Sequence, residues 1–406
     1  MTQVVDAVRE CAQRAHAAAG SIAAAGPEAI DAALRAIADR LLAAAEPVLK
    51  ANAADVDAAD LPAAMVDRLR LDPDRLEAMA HQLRVLADVP HPQWSRVVRE
   101  LPDALVEERR KPVGVIGANF EARPNVVVDI ASQLLKSRNA GVLRTGSAAI
   151  GSAAALLDEV IAPALSGAGL DPAAIQLVRV PGRDTARALV AQPGLIPLVI
   201  LRGSGDSTRS LTAEAARHGV RTLAHADGGG VLYLDRAASQ ETALRLVEQS
   251  LDRLGVCNRL NLLLVARDRW DDLLPPVRSL LDRLGIAISE APYEHPLGLE
   301  WALQEGREAT VTLAAVDGPA DAARLADAET SGLAAGIVTE DAAAAAEFLG
   351  TYSGTGAFWN VTTRLLDGFK LLGVPETGIN VDHVPGPRGP VTFLDLHLRQ
   401  FVVTPR

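Results

Sequence analysis

Val113-Gly-Val-Ile-Gly117, then Val126 to Ser137, then Ala140-Gly-Val-Leu143 is the stretch that decides the fold. The first and last pieces are short, almost wholly apolar runs, as expected of strands buried on both faces. The middle piece has the length and apolar spacing of a helix. Strand, helix, strand is a βαβ unit, and the pattern continues downstream. Ser147 to Leu165 reads as a helix, Ile175 to Val180 as a strand, and Arg183 to Gln192 as a helix. Leu198 to Leu201 is a strand, Ser207 to His218 a helix, and Thr222 to Ala224 a further short strand. The alternation predicts an α/β fold with a parallel sheet, its ligands bound at the strand carboxyl ends.

Upstream, from about Val4 to Leu86, apolar residues recur at helical spacing, with Glu28 to Glu46 and Arg75 to Leu86 as amphipathic helices. Pro90-His91-Pro92 and Pro102 break the helical signal. Downstream, a second alternating set runs from about Val231 to Asn360. It includes Val231 to Leu234, the helix Ser239 to Leu251, and the apolar runs Leu260 to Val265, Val311 to Val316 and Ala335 to Val338. Thr339 is the expected N-cap of a helix reaching Phe348, with Glu340 and Asp341 in its first turn. In the tail, Arg399 to Val403 has the composition of an edge strand.

The 406 residues exceed what one core usually serves, so two or more domains are expected. Hydrophobic residues make up 49% and charged residues 22%, an ordinary globular balance. A net charge of −11 argues against a nucleic-acid binder. Two cysteines cannot form a disulfide framework, and charges at Asp6, Arg9, Glu10 and Arg14 interrupt any signal-peptide core. No uninterrupted apolar run reaches the roughly 18 residues of a membrane span, so a cytoplasmic setting is the expectation.

One of the two cysteines, Cys257, follows Leu254-Gly255-Val256 and precedes Asn258 and a strand. Cysteines outside disulfides are most often small buried hydrophobes. A glycine-containing turn can also give a thiol access and backbone donors, which a nucleophile needs. Three further loops lie at strand ends. Arg144-Thr-Gly146-Ser147 and Leu201-Arg-Gly203-Ser204 each lead into a helix, where unpaired N–H groups favour phosphate, although Gly and Ser dominate ordinary turns too. His225 and Asp227, beside Gly228 to Gly230, are candidate bases for Cys257 or simple turn residues. No metal-ligand spacing occurs, and His295, His383 and His397 stand alone.

In this order, the cysteine and loops resemble the aldehyde dehydrogenase superfamily, and within it the γ-glutamyl phosphate reductase (glutamate-5-semialdehyde dehydrogenase) family of proline biosynthesis. The resemblance spans about Glu107 to Gly389. It rests on Gly117-Ala-Asn-Phe-Glu-Ala-Arg-Pro-Asn125 with Asp129, Leu135-Lys-Ser-Arg-Asn139, Gly255-Val-Cys-Asn258, and Asn360-Val-Thr-Thr-Arg364 with Asp367-Gly368. It implies a Rossmann-type cofactor domain (1–225, with an oligomerisation extension at 94–111), a catalytic domain (226–362), and a return to the cofactor domain with an oligomerisation tail (363–406). A dimer or tetramer follows from it, and a glutamate kinase or other acyl kinase is a candidate partner.

Carried onto this chain, the resemblance makes Cys257 the nucleophile that takes an acyl group from γ-glutamyl phosphate or a close analogue as a thioester. The thioester is then reduced to the semialdehyde. Asn258 accompanies Cys257 in the catalytic set, and its other candidates, Arg123 and Asn125, are side chains for the oxyanion beside the Cys257 N–H. Arg144 falls at a cofactor-binding lysine. Gly146 and Ser147, Gly203 and Ser204, and Glu300 complete the expected NADP(H) site. Glu121, Arg123, Asn360, Thr363 and Arg364 are the expected substrate contacts, and no metal is implied.

The chain also departs from that family. Ser204 replaces a glycine, Gly230 and Val231 replace a Cys-His pair, Leu333-Ala-Ala335 replaces a His-Ser-Asp-like triplet, and His383 to Pro390 differs from His-Ala-Arg-Gly-Pro. Hydrolytic aldehyde dehydrogenases carry a water-activating glutamate where this chain has Ala226-Asp227-Gly228-Gly229. Its absence suits a thioester that exchanges with phosphate. Three readings stay open: the reductase, a hydrolytic aldehyde dehydrogenase, and a homologue that binds a partner without turnover. The choice between NADPH and NADH is open as well, with NADPH favoured by the resemblance.

Overall fold

Five parallel strands form the sheet of the first unit, in the spatial order Ile175–Leu177, Ala140–Arg144, Val115–Asn119, Leu198–Arg202, Arg221–His225. The computed structural model describes residues 2–61, 63–225, 228–382 and 386–406. The chain divides into a first unit of Met1–His225, Val374–Gly378 and Val391–Arg406 and a second of Ala226–Gly373 and Ile379–Pro390. Val115–Asn119 is buried at every residue, which explains its continuous apolar run. The helix Asn125–Lys136 covers the sheet with Val126, Val127, Ile130, Ala131, Leu134 and Leu135.

The Leu135-Lys-Ser-Arg-Asn139 block proves to be a fastening point. Lys136 is wholly buried, and its ammonium donates to Asp31 at 2.7 Å, tying the helix to Pro27–Ala43. Burial pulls the Lys136 pKa down against the pull of Asp31. Asn139 accepts from Gly114 N–H (2.9 Å) and donates to the Leu396 carbonyl (2.9 Å), anchoring the tail.

Four long N-terminal helices, Thr2–Ala24, Pro27–Ala43, Ala45–Asp57 and Pro73–Asp88, complete this unit. Pro73–Asp88 begins two residues before the Arg75 start read from the sequence: Asp72 caps it by accepting the Arg75 N–H at 2.7 Å, and proline fills the first turn. The segment read as one helix from Ser147 to Leu165 is composite. A 3₁₀ turn (Ser147–Ala149) and α-turn (Ile150–Ala155) lead into a π-helical stretch (Leu156–Ile161) and a final α-turn (Ala162–Gly167). By length and composition Ser147–Gly167 would suffice to cross a membrane. Its Ala153, Leu156, Val160, Ile161 and Leu165 are instead buried in the core of this unit.

Ser95–Glu100, Ala104–Pro112 and His397–Pro405 make a separate antiparallel sheet. The tail strand is an edge strand, longer at both ends than the sequence suggests. Val97, on Ser95–Glu100, and Leu398, Phe401 and Val403, on the tail strand, are each more than half exposed.

The second unit is a six-stranded parallel sheet ordered Ala287–Ser289, Thr310–Val316, Leu260–Ala266, Gly230–Leu234, Ala334–Val338, Gly356–Trp359. One cap differs from expectation. The helix is Ala342–Thr351 and its N-cap is Asp341, which accepts from Ala343 N–H at 2.8 Å. The Thr339 hydroxyl donates to Asp235 (2.7 Å) and accepts from Asp341 N–H (3.1 Å), so it braces the loop before the helix.

Candidate active site

Cys257 lies half-buried in the turn between the helix Gln240–Gln249 and the strand Leu260–Ala266. The turn is held from two sides. On one, Gly229 N–H donates to the Cys257 carbonyl (2.6 Å) and Gly230 N–H to the Arg259 carbonyl (2.7 Å). Close approach requires glycine here: a Cβ on Gly228 would meet the Cys257 carbonyl oxygen at 2.6 Å and its Cα at 2.7 Å. On the other side, Asn258 donates to the Leu366 carbonyl (2.9 Å), Thr363 Oγ1 donates to the Asn258 carbonyl (2.8 Å), and the Arg364 guanidinium donates to Asn258 Oδ1. Arg364 is itself paired with Asp252 at 2.6 Å. An apolar floor of Leu333, Ala334, Phe358, Leu366, Ile379 and Val381 packs with Cys257.

The structure thus brings Cys257, Asn258, Thr363 and Arg364 together, with Glu300 beside them. Glu300 Oε2 accepts from Gly228 N–H at 2.8 Å, and its Oε1 is 2.5 Å from where a Gly228 Cβ would stand. Asn360, at φ +54°, is engaged elsewhere: its amide accepts from Thr339 N–H (3.0 Å) and donates to the Thr339 carbonyl (2.9 Å).

In the first unit a second group forms at the carboxyl ends of the strands. Glu121 Oε1 accepts from Ser204 N–H (2.9 Å) at the start of the helix Gly205–Arg217, where a negative charge is favoured. A Cβ on Gly146 would lie 3.1 Å from Ala122 N, and one on Gly203 would lie 3.6 Å from Glu121 Oε1. Glu121, Gly146, Ser147, Gly203 and Ser204 are therefore neighbours. Arg144 donates to Thr185 Oγ1 (3.0 Å), Asn119 Oδ1 (3.1 Å) and the Gly182 carbonyl (2.7 Å). All three acceptors are neutral, while burial lowers the Arg144 pKa. A half-buried cation with neutral acceptors fits an anionic ligand such as a cofactor phosphate.

Asn125, a candidate oxyanion donor, is the first residue of its helix, and its amide donates to Asp129 Oδ2 (3.0 Å). The Arg123 N–H donates to the Glu121 carbonyl at 2.7 Å, closing the turn before that helix. His225 ends a strand, and its carbonyl accepts from Gly203 N–H at 3.4 Å. Asp227 and His383 lie outside the described residues. His295 bonds Ser289 Oγ (2.6 Å), and His397 meets Trp94 edge-on at 4.9 Å. Among the described residues, no group of three His, Cys, Asp or Glu side chains is placed to hold a metal ion.

Two residues of the site escape the sequence reading. Arg259 is 1% exposed, and its guanidinium donates to the carbonyls of Leu260, Glu308 and Thr310. Burial pulls its pKa down to about 10. Asn261, fully buried two residues on, bonds Leu299 and Trp301. The signal was present: polar side chains at the mouth of an apolar strand are buried only when they have partners.

Comparison with known proteins gives a consistent result. A model of the aldehyde dehydrogenase family matches residues 2–290. The chain is 34% identical over 413 residues to a γ-glutamyl phosphate reductase of Caulobacter sp. (strain K31), covering 96% of each chain. It is 36% identical over 399 residues to one from Chloroflexus aurantiacus, covering 93% of this chain and 94% of that one. The crystal structure of γ-glutamyl phosphate reductase from Thermotoga maritima superposes with a TM-score of 0.88 at 24% identity, covering 98% of both chains. The similarity extends over the N-terminal helices, beyond the Glu107-to-Gly389 span in which the motifs lie.

Proposed function

Because this chain belongs to the aldehyde dehydrogenase family, on its γ-glutamyl phosphate reductase branch, we propose that it reduces γ-glutamyl phosphate to the semialdehyde through a thioester on Cys257, with NADPH as reductant. It is an oxidoreductase of the aldehyde and acyl-phosphate type, and its family uses a nicotinamide cofactor. The observation that carries the thioester reading is the setting of Cys257, a half-buried thiol on a turn fixed by Gly229, Gly230, Thr363 and Arg364.

The Cys257 sulfur attacks the acyl carbon, the bond from that carbon to the phosphate oxygen breaks, and phosphate leaves. Addition of hydride to the thioester carbon gives a thiohemiacetal, whose collapse restores the thiolate and releases the aldehyde. Each tetrahedral stage puts negative charge on oxygen, for which the Cys257 N–H, with Arg123 or Asn125, is the candidate donor. Asn258 and Arg364 keep the turn rigid, so little reorganisation accompanies attack.

NADPH, when bound, supplies the hydride. Arg144, with Gly146 and Ser147, would hold its phosphates, and Glu300 its nicotinamide ribose; Gly203 and Ser204 could join them only where Glu121 gives up the Ser204 N–H. Arg144 supports this assignment because its hydrogen-bond acceptors are all neutral. Glu121, Thr363 and Arg364 remain the proposed substrate contacts. Asn360, with its amide spent on Thr339, would serve by shaping that segment. The exposed apolar residues Phe401 and Val403 on the small antiparallel sheet support a homo-oligomer. The lability of acyl phosphates suits handover from an acyl kinase.

The test is reduction of NADP⁺ by glutamate semialdehyde with and without phosphate, beside Cys257→Ala. Turnover that needs phosphate and vanishes in the variant is expected. Turnover independent of phosphate would replace this reading with the hydrolytic one.

A further inference from the structure

The strand leaving the nucleophile turn, Leu260–Ala266, is buried at every position and carries one polar side chain, Asn261. A fully buried carboxamide is tolerated only when both its ends are bonded. Asn261 Nδ2 donates to the Leu299 carbonyl (2.6 Å), and its Oδ1 accepts from Trp301 N–H (2.9 Å). These bonds seize the main chain on either side of Glu300. Trp301, itself buried, is held again by its indole N–H to Thr312 Oγ1 (2.9 Å) and by Arg307 over its ring at 4.5 Å. With its backbone so fixed, Glu300 presents its carboxylate to Gly228 N–H at 2.8 Å, beside the Cα of Cys257.

We propose that Asn261 is a positioning residue: by bridging Leu299 and Trp301 it aims the Glu300 carboxylate at the nucleophile turn, so that Asn261 influences Cys257 through Glu300. The inference rests on Cys257 being the reactive thiol. Among the described residues, other charges near the turn include the Arg259 guanidinium, which Glu300 stabilises, Arg253, and the Arg364–Asp252 pair. A carboxylate held at the turn disfavours the thiolate, so withdrawing or neutralising it speeds attack by the sulfur.

The experiment is a double-mutant cycle on the intact chain, carried in a Cys11→Ser background so that Cys257 is the thiol read. Alkylation by iodoacetamide is followed at fixed pH in the parent, Glu300→Gln, Asn261→Ala and the double variant. Both single variants are expected to react faster by about three- to tenfold, as loss of a nearby charge implies. The double variant is expected to match Glu300→Gln within about twofold, because Asn261 has nothing left to aim. Multiplication of the two effects, or no effect of either single change, overturns the proposal. If Asn261→Ala fails to fold, Asn261→Ser, whose hydroxyl both donates and accepts, is read in the same cycle. NADPH affinity titrated on the same proteins separates the two claims. An intact cycle without NADPH binding in the parent sinks the cofactor reading alone, and a failed cycle with NADPH bound sinks the positioning role alone.

Discussion

Replacing Gly228 by alanine should cripple the reaction far more than it destabilises the protein. The new Cβ would stand 2.5 Å from Glu300 Oε1, 2.6 Å from the Cys257 carbonyl oxygen and 2.7 Å from the Cys257 Cα, where ordinary contact begins at 3.4 Å. The Glu300 carboxylate can swing aside, but the two Cys257 atoms are main chain, and the Gly229 N–H bond holds that carbonyl at 2.6 Å. Relief therefore requires the nucleophile turn to shift by something on the order of 1 Å, and such a misplacement costs about 100-fold in rate. Overpacking of this kind destabilises by about 1–3 kcal/mol. Turnover with semialdehyde, NADP⁺ and phosphate should fall about 100-fold, with a modest drop in the urea midpoint. Gly350→Ala is the control, since a Cβ there meets nothing within 4 Å on the helix Ala342–Thr351. It should keep full activity and gain up to about 1 kcal/mol. A Gly228→Ala enzyme within about twofold of the parent rate would mean that the turn takes the new methyl group without displacing Cys257.

Arg144→Ala should raise the KM for NADPH about tenfold or more and change kcat less, since a charge-assisted bond to a bound phosphate is worth roughly 1.5–3 kcal/mol; steady-state kinetics with varied NADPH checks it. Arg364→Met frees Asn258 Oδ1 and should lower kcat by about 10- to 100-fold, read in the same assay. His397 has a pKa of about 4 in the folded chain against 6.5 for an ordinary imidazole, because burial disfavours its charged form. The unfolded chain therefore takes up the proton first as pH falls. The stability carried by the neutral ring is complete above pH 6.5 and is lost between 6.5 and 4, by up to about 3 kcal/mol. Urea unfolding across that range should show this decline in the parent and a shallower one in His397→Gln.

Much of the fold was legible because parallel strands buried on both faces leave a plain signature. Val115–Asn119 and Ala140–Arg144 stand within a residue or two of where their apolar runs place them. Cap geometry was less readable. Thr339 and Asp341 are both good caps, and the choice between them is made by Asp235, distant in sequence, which claims the Thr339 hydroxyl. The π-helical stretch at Leu156–Ile161 left no mark in the apolar pattern, because its buried face continues unbroken. At the site, the sequence singles out Cys257, Thr363 and Arg364, which the fold brings together, whereas Asn360 from the same motif is bonded to Thr339. What Thr363 and Arg364 do to Asn258 depends on a contact across more than a hundred residues of chain, which no local pattern encodes. Arg259 and Asn261 were hidden for a related reason: each looks like an interruption of an apolar strand until its carbonyl partners in the 299–310 segment are seen.

The covalent role of Cys257 can be read by trapping the acyl-enzyme. Mixed with glutamate semialdehyde and NADP⁺ in the absence of phosphate, the enzyme should accumulate a thioester. Acid quench, digestion and mass spectrometry should find a glutamyl adduct on the peptide bearing Cys257, and phosphate added before the quench should remove it. Phosphate-dependent turnover without that adduct, or undiminished turnover in Cys257→Ala, would rule out a thioester on Cys257.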